Sequence, residues 1–252
     1  KEGDFEIADG YYRKAYGHSD SDESKIKILF EMSEFHLTAT PKHEPNWRNA
    51  ISCWNTVLNI DPQHVEAHRK LLDYFYQLAD NGNASVWKLV NEHAGKLMEV
   101  FEKTQQQPGQ LVLTAKSRAS LEMSRAGSET NRDELAEQAL QYLDQLKKLT
   151  PEDPKVYRYI AEAMMLKGEL DETKGIQDAR TAAQKNIETL LASALESVTD
   201  KGTIEAYRMD MELAQVQRDP NTIPAFRKKM ESLVAAYPNS DLLYFTLSTS
   251  YE

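Results

Sequence analysis

Ala50-Ile51-Ser52-Cys53-Trp54-Asn55-Thr56-Val57-Leu58-Asn59-Ile60-Asp61-Pro62 is the stretch that organises the chain. Ala50, Trp54, Val57 and Pro62 stand four, three and five positions apart. The first two steps put three side chains on one face of a helix, and the proline stops it. Those steps recur at Ala139, Leu143, Leu146 and Pro151, and again at Phe226, Met230, Leu233 and Pro238. Near the start, Ala8, Tyr12 and Ala15 repeat the first two, with Asp20 where the proline would stand. A second element follows each proline. Six residues on comes a ring, at His68, Tyr157 and Tyr244. After it come Leu71-Leu72 and Phe75, Ile160-Ala161 and Met164, and Leu247-Ser248 and Tyr251.

Helical spacing extends through the rest of the chain. Leu71, Phe75 and Leu78 share a face, as do Leu135, Ala139, Leu143 and Leu146. No stretch alternates with the period of two that a half-buried strand needs, so the chain reads as all-α. Breakers such as Gly17–Asp22, Thr40–Pro45, Asn81–Asn83, Gly127–Asn131 and Asp219–Pro220 divide it into about a dozen helices. Gly168 reads as a turn between two of them. Asp20, Asp22, Asn131, Asn221 and Asn239 are candidate N-caps. Short linkers favour antiparallel neighbours.

The pattern resembles that of the tetratricopeptide repeat family: Trp-x2-Leu-Gly-x2-Tyr, then Ala-x3-Phe, then Pro, over about 34 residues. Lys1–Tyr16, Asn46–Tyr76, Glu134–Gly168 and Pro224–Glu252 carry it best. No segment has Trp at the first position, and Leu72 and Phe226 stand where the motif has small residues. The resemblance implies one array over 1–252, an α-solenoid wound as a right-handed superhelix of about six helix pairs. Its repeat segments would be 1–20, 21–62, 63–107, 108–151, 152–200, 201–238 and 239–252. The three prolines lie 89 and 87 residues apart, more than two standard repeats. The excess is placed in second helices around 84–104 and 175–198, giving one long and one ordinary repeat per superunit. The chain opens in a second helix and stops near the end of a first helix, which suggests a longer array. In this family first helices line a concave groove. That places Glu66, Arg69, Asp73 and Tyr76, then Lys155, Arg158, Glu162 and Met165, then Leu242, Phe245 and Thr249 on the groove. The Lys/Asn/Arg set that clamps C-terminal carboxylates in some members is not evident.

Charge narrows the partner. The 252 residues carry a formal net charge of -10. The basic clusters, Lys147-Lys148 and Arg227-Lys228-Lys229, are short, whereas nucleic-acid binders concentrate Lys and Arg to meet phosphates. No nucleic acid is expected as partner. No run of 18 apolar residues occurs, so no direct membrane insertion is expected. Cys53 is the single cysteine and makes no intramolecular disulfide; a packed thiol is its simplest role.

Candidate chemistry resolves mostly into structure. His64 and His68 stand at i, i+4 and have the spacing to share a metal ion. Glu does not follow the first His as zinc proteases require, so a capping and packing pair is the expectation. Cys53 with His64 or His68 lacks a recognisable oxyanion hole. Asp133-Glu134 and Asp171-Glu172 read as solvated acidic faces, and Asn81-Gly82-Asn83 as a turn. Trp47, Trp54, Tyr74, Phe75, Tyr76, Trp87 and Phe101 concentrate in one region as core, with Trp47 and Tyr76 as candidate groove anchors. No catalytic residue, metal or cofactor is assigned, and the chain is read as no enzyme. The function expected is a scaffold binding a partner protein's peptide, helix or subunit. The alternatives are a regulatory or substrate-presenting arm of an enzyme whose catalytic domain lies elsewhere and, behind that, an RNA-processing helical repeat.

Overall fold

The computed structural model describes residues 3–38, 44–127, 131–216 and 220–251. The breaks expected at Thr40–Pro45, Gly127–Asn131 and Asp219–Pro220 lie partly outside these residues. Among the described residues are twelve α-helices and no strand. They are α1 (Gly3–His18), α2 (Asp22–Leu37), α3 (Trp47–Ile60), α4 (Val65–Asp80), α5 (Trp87–Thr104) and α6 (Gln110–Ala126). Then come α7 (Arg132–Leu149), α8 (Pro154–Thr173), α9 (Ala179–Ser197), α10 (Lys201–Val216), α11 (Ile223–Ala236) and α12 (Asp241–Thr249). Helices next to each other in sequence pack in that order, as in a solenoid-like repeat. The chain forms two compact units, 1–116 and 117–252, with the boundary inside α6.

In the first unit, helix starts are set by local side chains. Ser21 Oγ accepts from Ser24 N–H at 3.2 Å, so Ser21 is the cap, flanked by Asp20 and Asp22. Asn46 Oδ1 accepts from Asn49 N–H, and His64 Nδ1 from Ala67 N–H. These bonds satisfy donors that a helix cannot pair internally. The core forms around Trp54, which is 1% exposed and packs among Leu29, Met32, Val57 and Leu71. Its indole N–H donates to Ser33 Oγ at 2.9 Å, and that hydroxyl donates to the Phe30 carbonyl. Burial of the ring therefore leaves no indole donor unpaired.

The ring six residues after the proline has a physical role. His68 Nε2 lies 3.1 Å from the Pro62 carbonyl, and Tyr157 O–H donates to the Pro151 carbonyl at 2.9 Å. Each ring reaches back over the turn and ties the start of its helix to the end of the preceding one. A carbonyl only accepts, so His68 carries its proton on Nε2. Its bare Nδ1 then accepts from His93 Nδ1–H, 3.0 Å away on α5. His93 stacks in parallel on Phe75. Burial, and secondarily His68, hold the His93 pKa down to about 4. Tyr244, the third ring in the series, is half exposed.

The second unit closes its seams differently. At Gly168 a methyl group would meet Ala183 Cβ at 2.8 Å and the Ala179 carbonyl at 3.2 Å. Gly168 is therefore not the turn its type suggests; it lies inside α8 and lets α9 approach closely. Across α7 and α8, Lys167 lies 2.8 Å from Asp133 and 2.7 Å from Asp171, while Lys174 reaches Asp133 at 2.7 Å. Burial alone would lower the Lys167 pKa, but the bonds to Asp133 and Asp171 raise it; Lys167 and Lys174 hold Asp133 below the usual range. Asp133 and Asp171 are thus a structural ion network, not simply solvated faces. The extra repeat length is also shared more widely than expected. Helices α5, α7 and α9 have 18, 18 and 19 residues, so long second helices do not alternate with ordinary ones. N-caps of α11 and α12 fall on Thr222 and Ser240, one position after Asn221 and Asn239.

First helices lie side by side in this unit. Tyr157 on α8 and Ile204 on α10 share one buried cluster. Further along, Thr246 of α12 donates to Asp210 of α10 at 2.9 Å.

Candidate functional site

The second unit contains a cleft of about 510 Å3 whose walls come largely from α8 and α10, with Arg125 from α6 at its edge. Met165, Leu166, Ile187, Leu191 and Met211 supply its apolar lining. Leu166, Ile187 and Leu191 are buried; Met165 and Met211 are only half-buried.

Charge gathers at one end. Arg158 on α8 donates from Nε to Glu162 Oε1 at 2.8 Å, one helical turn away. Arg125 of α6 reaches the other oxygen of Glu162 at 3.0 Å, and Arg118 approaches it at 3.4 Å. Arg125 and Arg118 also meet Glu122 at 2.8 and 3.4 Å. Three guanidinium groups therefore face two carboxylates. Tyrosine rings hold the guanidiniums from below: Arg118 lies 4.5 Å from the centre of Tyr159, and Arg158 lies 5.7 Å from that of Tyr207. Burial would lower the Arg158 pKa, yet Glu162 raises it; burial raises that of Tyr207. Arg132 donates from Nε to the Ser124 carbonyl at 2.7 Å. Glu169 lies 3.5 Å from Arg180.

Of the groove positions drawn from the sequence, Arg158, Glu162 and Met165 line this cleft together. Lys155 is exposed on the same helix. On α12, Phe245 is 66% exposed, Thr249 bonds the Phe245 carbonyl, and Leu242 packs against the α10–α11 core. In the first unit, Arg69 pairs with Glu66 at 3.4 Å, and Asp73 accepts from Gln77 at 3.1 Å. Tyr76 is half-buried edge-on to Trp87, whereas Trp47 stacks on Tyr74 and stays 41% exposed. Arg118, Arg125, Tyr207, Asp210 and Met211 were not singled out from the sequence. Arg118, Glu122 and Arg125 share a helical face, which is the one local signal they offered.

A second cleft, about 350 Å3, lies in the first unit beside Arg13, Leu29, Met32, His36 and Cys53. His36 Nε2 stands 3.3 Å from Asp9 Oδ1 without hydrogen-bond geometry. Burial lowers the His36 pKa, against the pull of Asp9. Burial, then Asp9, pushes the Cys53 thiol up to about 11. The nucleophilic form is the thiolate, so this thiol is poorly activated. His64 and His68 face different partners, Phe30 and His93, and serve capping and packing. Among the described residues, no group of three or more His, Cys, Asp or Glu is placed to hold a metal ion, and no helix is long and apolar enough to cross a membrane. No protein-family model and no curated protein matches the sequence.

Proposed function

We propose that this chain is a protein-interaction scaffold of the tetratricopeptide kind that docks a segment of a partner protein in the cleft of the second unit. The observation carrying this reading is the convergence of Arg118, Arg125 and Arg158 on Glu162 beside the half-buried Met165 and Met211. Binding hot spots combine a desolvated apolar pocket with arginine and aromatic anchors, and here both are held on helices. Side chains already fixed by ion pairs and ring stacking lose less entropy when a partner arrives.

The test is capture of partner proteins on immobilised chain from an extract of its source cells. Arg158→Glu combined with Met165→Glu puts two acidic groups on one face of α8 and should release the captured proteins. Lys185→Glu, at an exposed position on α9, should retain them. Retention of every partner by the double variant, at unchanged helicity, would remove the cleft from the binding surface.

A further inference from the structure

The lining of the second-unit cleft is balanced in charge. Arg125, Arg132 and Arg158 stand among Glu162, Glu169 and Asp210. Each is engaged within the chain. Arg125 and Arg158 meet Glu162 at 3.0 and 2.8 Å, and Arg132 donates to the Ser124 carbonyl at 2.7 Å. Glu169 lies 3.5 Å from Arg180, and Asp210 accepts from the Thr246 hydroxyl at 2.9 Å. The walls therefore ask for no counter-charge. A charged group pressed between them would give up its hydration with no partner set aside for it.

What the cleft offers instead is apolar and adaptable. Met165 and Met211 are half-buried, with Leu166, Ile187 and Leu191 buried beside them. Flexible thioethers fit partners of differing shape. A volume of about 510 Å3 holds more than one large side chain. Among the described residues of the lining there is no Asn, Gln, Ser or Thr, and the remaining neutral polar side chain, Tyr207, packs against the Arg158 guanidinium. Amides and hydroxyls are the neutral groups that pair the backbone of an extended peptide, whose N–H and C=O groups are costly to leave bare against Met and Leu. The backbone of the walls is committed as well, because it lies inside α8, α9 and α10. A helix arrives with its backbone bonds already made and needs only a stripe of apolar contacts.

We propose that the cleft takes the apolar stripe of an amphipathic helix from a partner protein, which sets two large uncharged side chains, three or four residues apart, against Met165 and Met211. An extended segment, or one anchored through an acidic or basic side chain, would find no groups reserved for it. The inference rests on the docking reading above and adds the partner's conformation and chemistry.

A phage-displayed library of random peptides long enough for about four helical turns is selected on the immobilised full chain, and enriched peptides are measured by fluorescence anisotropy. The enriched sequences should share two large uncharged apolar residues at i and i+3 or i+4. Replacing one of these anchors by Asp or Lys should weaken binding at least about tenfold, as should a Pro midway between them. Affinity should fall by less than about twofold between about 0.05 and 0.5 M salt. In the protein, Met165→Glu or Met211→Glu should weaken binding at least about tenfold at unchanged helicity. Lys185→Glu, at an exposed position on α9, should leave it within about twofold. The peptide-side changes do not depend on whether a protein variant folds. Binders that tolerate the Pro, that anchor through a charge, or whose affinity falls steeply with salt would overturn the helix proposal and leave docking in the cleft intact. Binders indifferent to both methionine substitutions, or a library yielding no binder, would overturn both.

Discussion

Helix pairs α4–α5 and α8–α9 use the same turn and fill their seams in opposite ways. In both, a ring six residues past the proline bonds the proline carbonyl: His68 to Pro62, and Tyr157 to Pro151. Between α4 and α5 the seam holds large groups, with Phe75 stacked on His93 and His93 bonded to His68. Between α8 and α9 the backbones come together where Gly168 faces Ala183. The turn sets the register, and the filling decides what threatens the pair. A seam built on the buried His93 imidazole is exposed to protons. A seam of small residues is exposed to a single added methyl.

The largest test removes the most deeply packed ring of the first unit. Trp54→Ala should cost about 3–5 kcal/mol in urea unfolding, because a large cavity opens and Ser33 loses its indole donor. A loss near 1 kcal/mol would mean that this region is far less tightly packed than 1% exposure implies.

Acid should come next. His93 sits at about 4 when folded, below the ordinary imidazole value of 6.5. Between those values the unfolded chain binds more protons than the folded one, so stability is full above pH 6.5 and falls as pH drops towards 4. The loss should reach about 3 kcal/mol. His93→Asn offers an amide donor near the Nδ1 position and does not titrate, so its pH profile should be flatter. An equally steep profile in that variant would place the acid sensitivity elsewhere.

The second unit should respond to volume. Gly168→Ala should cost about 1–3 kcal/mol by forcing α8 and α9 apart. Adding Ala183→Gly removes the opposing methyl and should recover part of the loss. Purely additive destabilisation in the double variant would show that the two positions do not press on each other.

The smallest effect belongs to the ion network. Lys167→Met should cost about 1 kcal/mol at low salt, since its partners are only partly screened from water. The difference should shrink as salt rises. A salt-independent loss would point to packing of the lysine stem instead.

Much of the framework was legible from local spacing. Apolar residues three and four apart declare a helix face within a few turns, which is why the Ala50–Trp54–Val57 steps located α3 and their repeats located α7 and α11. The ring after the proline was legible as a position but not as a bond. Its acceptor is a backbone carbonyl, and every residue has one. Gly168 was misread because glycine serves turns and close approaches alike, and only the opposing Ala183 separates the two. Arg158, Glu162 and Met165 were found as one face of one helix. Arg118 and Arg125 were missed because they meet Glu162 from 44 and 37 positions away, and α6 follows the repeat weakly.

By itself the sequence determined the helices, their stops and the order in which they follow, because each depends on interactions within a few residues. Which side chains confront one another across the seams and at the cleft was decided only when the helices stacked. Packing brings together groups tens of residues apart, and the energies at stake are those of pairs, which no single position along the chain encodes.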